Sequence, residues 1–180
     1  MAKRLNKRVV FALSVAGFGV MILLAVLMIR QLQQSDPQQH AARAQAHEAK
    51  REWVQAARFY RRAWEVSEDA DYLVHLGRVL VSANDLRGAL GAWREAIAHA
   101  PALIEARTAL LEVLLEVSEW QGTVGNWMDV REAADGILAV DPSIAAAYHA
   151  RGLALVNLVS QDASYARDGR ASLERAVELA

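Results

Sequence analysis

The sequence predicts an all-α protein in which an amino-terminal membrane-spanning helix precedes an α-solenoid of about four helix pairs. Three observations support this prediction. Residues 9–29 form an apolar run of 21 residues without a charge. A pattern of two amphipathic helices joined by a short turn recurs at intervals of about 34 residues along the rest of the chain. No strand pattern is visible in the sequence.

The apolar run at residues 9–29 is long enough for a helix to cross the hydrocarbon layer of a bilayer, which is ~30 Å thick. Because the run is long and no small-x-small cleavage site follows it, an uncleaved signal anchor is favoured over a cleaved signal peptide. Four basic residues crowd the tail at residues 1–8. The positive-inside rule then places this tail in the cytoplasm and the rest of the chain across the membrane.

Small residues inside this span could allow close contact with a second membrane helix. Ala12, Ala16 and Gly19 are the candidates for such a contact. The alternative is that small residues are simply common in membrane helices. The Arg-rich and Ala-rich composition is typical of a bacterial chain, so we expect the bacterial inner membrane and a periplasmic solenoid.

The clearest helix pair lies within residues 71–101. Its first helix has Leu76-Gly77 and Leu80 at helical spacing, its turn contains Asn84-Asp85, and Pro101 stops its second helix. Its second helix carries the small or aromatic residues Ala89, Trp93 and Ala96. These residues resemble the tetratricopeptide repeat (TPR), a helix–turn–helix unit of about 34 residues. The resemblance divides the solenoid at residues 40–180, which follows a linker at residues 30–39, into approximate repeats 38–70, 71–103, 104–144 and 145–180.

Two repeats depart from this pattern. The first repeat has Arg43-Ala44 in place of Leu-Gly, as terminal repeats often do, and its first helix is predicted over residues 40–51. The third repeat is seven residues longer than one unit, and its surplus in residues 118–129 predicts an enlarged loop. Trp120 and Trp127 on this predicted loop either fill the grooves of the solenoid or anchor an interface. A second extended turn is predicted at residues 161–168, and we expect the chain to continue beyond Ala180.

The resemblance implies that proteins or peptides bind in a concave groove lined by the first helices. The corresponding positions are Arg78, Glu105, Thr108, Glu112, Glu116, His149 and Asn157. The three Glu residues are spaced by seven and four, so they project to one side of their helix and favour basic or neutral segments. Arg78 and Arg107 are the basic residues expected near them. The Lys/Asn set that clamps a terminal carboxylate in chaperone-binding members of the family is absent.

The composition argues against several other functions. The chain has no cysteine, which excludes disulfides and cysteine-ligated zinc. The five His residues are scattered, and no catalytic motif or phosphate-binding loop is present, so we predict no enzyme, metal, cofactor or small-molecule substrate. Residues 31–180 hold 15 basic and 21 acidic residues, a net charge of −6, so the cluster Arg58, Arg61 and Arg62 is interpreted as a solvated face rather than a nucleic-acid site.

Three hypotheses follow for function. The first is a membrane-anchored scaffold or accessory subunit, whose partners are proteins of an integral membrane complex and the surrounding lipid. The alternative is a periplasmic assembly factor or chaperone that holds exported polypeptides, as repeat proteins of cytochrome c maturation do. A membrane-anchored enzyme whose catalytic part lies beyond residue 180 is a third reading.

Overall fold

The computed structural model describes residues 36–180 together with Phe18, Met21, Ile22 and Leu24 nearer to the amino terminus. Residues 36–180 fold into helices that pack as four consecutive hairpins. The helices are α1 (Pro37–Glu48), α2 (Trp53–Ser67), α3 (Ala70–Ser82), α4 (Leu86–His99), α5 (Ile104–Gln121), α6 (Val124–Leu138), α7 (Ala145–Asn157) and α8 (Tyr165–Leu179). The first helices of successive hairpins also touch, α3 with α5 and α5 with α7. The predicted all-α solenoid of helix pairs is therefore confirmed for this part of the chain.

The apolar core runs along the solenoid as two overlapping clusters. One joins the first two hairpins to the start of the third, and the other joins the second, third and fourth hairpins. Helix α4 contributes to both clusters, because Ala92 and Ala96 pack in the first while Ala89 and Trp93 pack in the second. Each hairpin therefore depends on its neighbours for burial, as expected of stacked repeats.

Gly77 marks the closest approach of the two helices in the second hairpin. A Cβ atom at this position would lie 2.2 Å from Nε1 of Trp93. Trp93 is 2% exposed, and its Nε1–H donates to the carbonyl oxygen of Val74 at 3.2 Å. The indole therefore occupies the space that a side chain at residue 77 would need.

Short polar residues end and begin the helices of the first two hairpins. The Asp36 carboxylate accepts the Gln38 N–H at 2.9 Å, so α1 begins at Pro37 and not at residue 40 as predicted. Proline suits the first helical position because its missing N–H would have no partner there. The predicted turn at Asn84-Asp85 is confirmed, since Asn84 has φ of 60° and the Asp85 carboxylate accepts the Gly88 N–H at 2.9 Å.

The third hairpin has a two-residue turn, so the prediction of an enlarged loop at residues 118–129 is wrong. Helix α5 continues to Gln121 and α6 begins at Val124. Gly122 ends α5 with φ of 64°, and the Thr123 hydroxyl accepts the Asn126 N–H at 3.2 Å to begin α6. The surplus residues therefore lengthen the helices. In the fourth hairpin, helix α8 already begins at Tyr165, inside the predicted turn at residues 161–168.

The predicted membrane-spanning segment lies almost entirely outside the described residues. The basic tail at residues 1–8 and the contact residues Ala12, Ala16 and Gly19 fall there, as do residues 30–35 of the linker. Among the residues that the structure does describe, no helix has both the length and the apolar character needed to cross a bilayer.

Histidine side chains in the first hairpin pack against aromatic rings. His40 and His47 share a face of α1, as their spacing predicts, and both stack on Phe59 with ring centroids 6.3 and 5.2 Å away. His47 also pairs with Glu52. Within residues 36–180 no group of three or more His, Asp or Glu side chains is placed to hold a metal ion.

Candidate functional site

The inner side of the solenoid is the side on which successive first helices touch, and it carries a cleft of about 250 Å³ between α3 and α5. We call this cleft the α3–α5 groove. Its lining residues are Arg78, Val81, Trp93, Glu105, Thr108, Ala109, Glu112 and Val113. The apolar members come from three helices, whereas the charged members project from α3 and α5. The groove therefore combines an apolar surface with a charged rim, the usual composition of a site that binds a polypeptide.

Charge in the α3–α5 groove is only partly balanced. A guanidinium nitrogen of Arg78 donates to Oε1 of Glu105 at 2.5 Å, and both side chains are half exposed. An exposed pair of this kind contributes about 0–1 kcal/mol to stability, so it is available to a ligand at little cost. Glu112 is exposed and has no ion-pair partner within residues 36–180. The unbalanced charge of the groove is therefore negative.

Four of the predicted partner-binding residues meet in this groove, namely Arg78, Glu105, Thr108 and Glu112. The Thr108 hydroxyl donates to the carbonyl oxygen of Ile104 at 3.0 Å, so its donor is already used. Glu116 is exposed and lies four residues after Glu112, on the same face of α5. It extends the acidic edge of the groove by about one helical turn.

The two predicted residues on α7 do not join the groove lining. His149 lines a separate apolar cavity of about 350 Å³ at the fourth hairpin, together with Leu173 and Val177. The Asn157 amide donates to the carbonyl oxygen of Leu153 at 2.9 Å, within its own helix. Sequence reasoning placed these residues on first helices correctly but could not locate the cleft between two particular helices.

The sequence predicts that Arg107 lies near the groove carboxylates, but the structure places it elsewhere. Its Nε–H donates to the carbonyl oxygen of Pro101 at 2.8 Å. It lines a different cleft of about 300 Å³, together with Arg94 and Asp129. The α3–α5 groove is therefore more acidic than the sequence indicates, because its lining contains Arg78 but not Arg107.

The structure separates the two Trp residues that the sequence places on one loop. Trp127 lies on α6, is 6% exposed and belongs to the apolar core. Trp120 lies in the last turn of α5 and is 84% exposed. The core interpretation therefore suits Trp127, and only Trp120 has the exposure that an interface role requires.

Sequence reasoning missed the apolar lining of the groove. Val81, Ala109 and Val113 each adjoin a position on the inner face, and the sequence gives no indication that Trp93 reaches the groove. The sequence contains a signal for two of these residues, because Ala109 and Val113 directly follow the predicted groove residues Thr108 and Glu112. The packing of α3 against α5 decides which neighbours remain accessible, and no single-helix pattern contains that information.

A wider cleft of about 560 Å³ lies along α2 and α3 and includes Arg58, Arg61 and Arg62. A guanidinium nitrogen of Arg61 donates to Glu95 at 2.7 Å, and the guanidinium of Arg62 lies 5.7 Å from the ring centre of Phe59. These local contacts agree with the interpretation of the cluster as a solvated face. With three Arg and two acidic residues in its lining, this cleft has a net charge of +1, so the size of the charge excess does not distinguish it from the α3–α5 groove. We favour the α3–α5 groove as the functional site because four of the predicted partner-binding residues meet there.

Stacked hairpins with an aromatic residue packed against a small first-helix residue are characteristic of TPR solenoids, and solved structures place the chain in this fold class. MamA from Desulfovibrio magneticus RS-1 (residues 41 to the end) matches with 18% identity and a TM-score of 0.61 over 79% of this chain and 75% of that one. YrrB, described as a TPR protein with an unusual peptide-binding site, matches with 19% identity and a TM-score of 0.59 over 83% and 71%. TTC0263, a TPR protein of Thermus thermophilus, matches with 20% identity and a TM-score of 0.53 over 79% and 74%.

These similarities establish the TPR fold, which the sequence predicts. No protein-family model matches the chain, and the search of curated proteins gives no significant match. The function is therefore argued from the groove itself.

Proposed function

We propose that the protein is a scaffold that binds a polypeptide segment of its partner in the α3–α5 groove. The observation that carries this proposal is the groove itself, in which Val81, Ala109 and Val113 offer apolar contact. Beside them lies the carboxylate of Glu112, which has no ion-pair partner within residues 36–180. An extended segment would bury apolar surface against the apolar residues, and its contacts with the charged residues would fix its orientation. YrrB, which has the same fold, is described as having an unusual peptide-binding site, and this supports peptide binding by the fold.

The partner segment is basic or neutral. Glu112 and Glu116 are exposed and have no ion-pair partner within residues 36–180, whereas Arg78 is already paired with Glu105. A cationic segment would be attracted to this edge and its association accelerated at low salt, whereas an acidic segment would be repelled.

The scaffold is anchored in the bacterial inner membrane, with its solenoid in the periplasm and its amino terminus in the cytoplasm. The uncharged run at residues 9–29 and the basic tail before it support this part of the proposal. Anchoring raises the effective concentration of a groove ligand on a partner in the same membrane. Ala12, Ala16 and Gly19 would supply a second contact, so the protein acts as an accessory subunit of an integral membrane complex.

A periplasmic assembly factor that holds exported polypeptides is the second candidate. One observation favours it, because the apolar cavity of the fourth hairpin leaves Val177 78% exposed. Such a surface suits the transient holding of an unfolded chain. Purification in mild detergent separates the candidates, because a subunit co-purifies with its complex in a fixed ratio and an assembly factor does not.

Replacing Glu105, Glu112 and Glu116 together by Gln should weaken co-purification of the partner complex and abolish its salt dependence. Loss of the charges removes attraction for a basic segment but preserves side-chain shape. Glu65→Gln, on the outer side of the first hairpin, is the matched control and should behave like the parent. Equal recovery of partner with parent and triple variant at every salt concentration would exclude the groove.

A reporter that is active only in the cytoplasm should be silent when it is fused after residue 180. The positive-inside rule predicts this result, because residues 1–8 would keep the amino terminus in the cytoplasm. A matched fusion that lacks residues 1–30 should restore reporter activity. An active reporter on the full chain would overturn the proposed orientation.

A further inference from the structure

Helix α5 extends beyond both of its neighbouring first helices. It has 18 residues, whereas α3 and α7 have 13 each. All three helices begin seven residues before the equivalent positions Gly77, Leu111 and Gly152, so the five additional residues of α5 lie at its carboxyl end. At 1.5 Å per residue, α5 projects about 7.5 Å past the ends of α3 and α7.

The extension of α5 carries Trp120 in line with the groove. With about 100° of rotation per residue, Trp120 falls between Ala109 and Val113 around the helix axis. Both of these residues line the α3–α5 groove. Because the extension carries Trp120 past the ends of α3 and α7, its indole lies beyond the end of the groove and in line with the groove lining. The side chain of Trp120 is 84% exposed.

The surroundings of Trp120 favour a cation. Glu116 precedes it by one helical turn and Glu119 adjoins it, and both are exposed without an ion-pair partner within residues 36–180. An apolar ligand group on this indole would lie beside two carboxylates. A guanidinium or ammonium group would interact with the ring face and with the carboxylates at once.

The spacing along α5 also matches an extended chain. Glu112, Glu116 and Trp120 follow each other at intervals of four residues, which is about 6 Å along the helix axis. Alternate side chains of an extended segment point to the same side and are separated by about 6.6 Å. Three alternate side chains of such a segment can therefore meet these three residues in turn.

We propose that Trp120 is an aromatic binding platform at the end of the α3–α5 groove, specific for an extended segment with basic side chains at three alternate positions. Two of these side chains pair with Glu112 and Glu116, and the third stacks on the indole of Trp120. This proposal rests on the proposed function, because it defines the class of segment that the groove accepts.

The test measures binding of two peptides to the full chain in mild detergent by isothermal titration calorimetry. The first is acetyl-Ala-Lys-Ala-Lys-Ala-Arg-Ala-amide, with alternating basic residues. The second has the same composition with the three basic residues contiguous. The variants are Trp120→Ala, Trp120→Phe and the double variant Glu112→Gln with Glu116→Gln. Val177→Ala is the control, because it removes an exposed apolar side chain from the fourth hairpin.

The alternating peptide should bind more tightly than the contiguous one. Trp120→Ala should weaken its binding by about two- to fivefold, since a cation–π contact at an exposed site is worth about 0.5–1 kcal/mol. Trp120→Phe should weaken binding less than Trp120→Ala, because a smaller aromatic ring remains. The double Gln variant should weaken binding further than either, and Val177→Ala should leave it unchanged.

The results distinguish failure of the Trp120 platform from failure of the groove as a binding site. If the double Gln variant weakens binding but Trp120→Ala does not, the aromatic platform is overturned and the groove stands. If neither change weakens binding, both are overturned. Equal affinities for the two peptides would contradict the alternate spacing.

Discussion

Replacement of Gly77 by Leu should lower the free energy of unfolding by about 3 kcal/mol or more, the upper end of the cost of overpacking a core. A Cβ atom there would already lie 2.2 Å from Nε1 and 2.4 Å from Cε2 of Trp93. The indole is 2% exposed and its N–H is bonded to the carbonyl of Val74, so it cannot move without losing both burial and a hydrogen bond. Thermal unfolding followed by circular dichroism should show a fall of about 2–4 °C in Tm per kcal/mol.

Gly91→Ala is the matched control for this prediction. Gly91 also lies in the second hairpin, in α4, but beyond its chain neighbours and the backbone of its own helix no described atom lies within 4 Å of a Cβ placed there. Alanine should therefore raise stability by about 0.5–1 kcal/mol, because it restricts the unfolded chain and favours the helix. An unchanged Tm for Gly77→Leu, or equal losses for both variants, would show that the packing of the second hairpin is misassigned.

Replacement of the two Trp residues of the third hairpin by Ala should change stability by very different amounts. Trp127→Ala should cost about 3–5 kcal/mol, because it opens a cavity among the residues that join α5, α6 and α7. Trp127 is 6% exposed and packs in this core cluster. Trp120→Ala should change stability by less than about 0.5 kcal/mol, because the side chain is 84% exposed.

Urea unfolding of the two variants beside the parent measures this difference directly. The free energy of unfolding should fall for Trp127→Ala at an unchanged m-value, whereas the curve for Trp120→Ala should overlie that of the parent. Comparable destabilisation by both substitutions would mean that Trp120 packs in the core and is unavailable as a binding platform.

The sequence predicts the hairpins better than it predicts their junctions. Leu76-Gly77, Trp93 and Pro101 of the second hairpin are spaced as in a repeat because each of its helices buries one face, and local periodicity records this. The error at residues 118–129 has a local cause. Gly122 and Gly125 suggest a loop, yet one of them caps α5 and the other is accommodated in the first turn of α6.

The candidate site is only partly readable from the sequence. Helical spacing identifies Glu112 and Glu116 as inner-face residues, since this depends on one helix alone. Whether Arg107 faces the groove depends on how α4, α5 and α6 pack, and the structure directs it to a different cleft. The pairing of Arg78 with Glu105 likewise needs the distance between two helices. Only the assembled solenoid shows that Trp120 projects past its neighbours.

Site-directed cross-linking of the alternating basic peptide tests the central claim, that partners bind in the α3–α5 groove. The chain has no cysteine, so Ser82→Cys, directly after the groove residue Val81, and Glu65→Cys on the outer side can each carry a single benzophenone maleimide. We predict cross-linked peptide with the label at residue 82 and its loss when Glu112 and Glu116 are replaced by Gln. Cross-linking that is equal at residues 65 and 82, or that survives these replacements, would contradict the account.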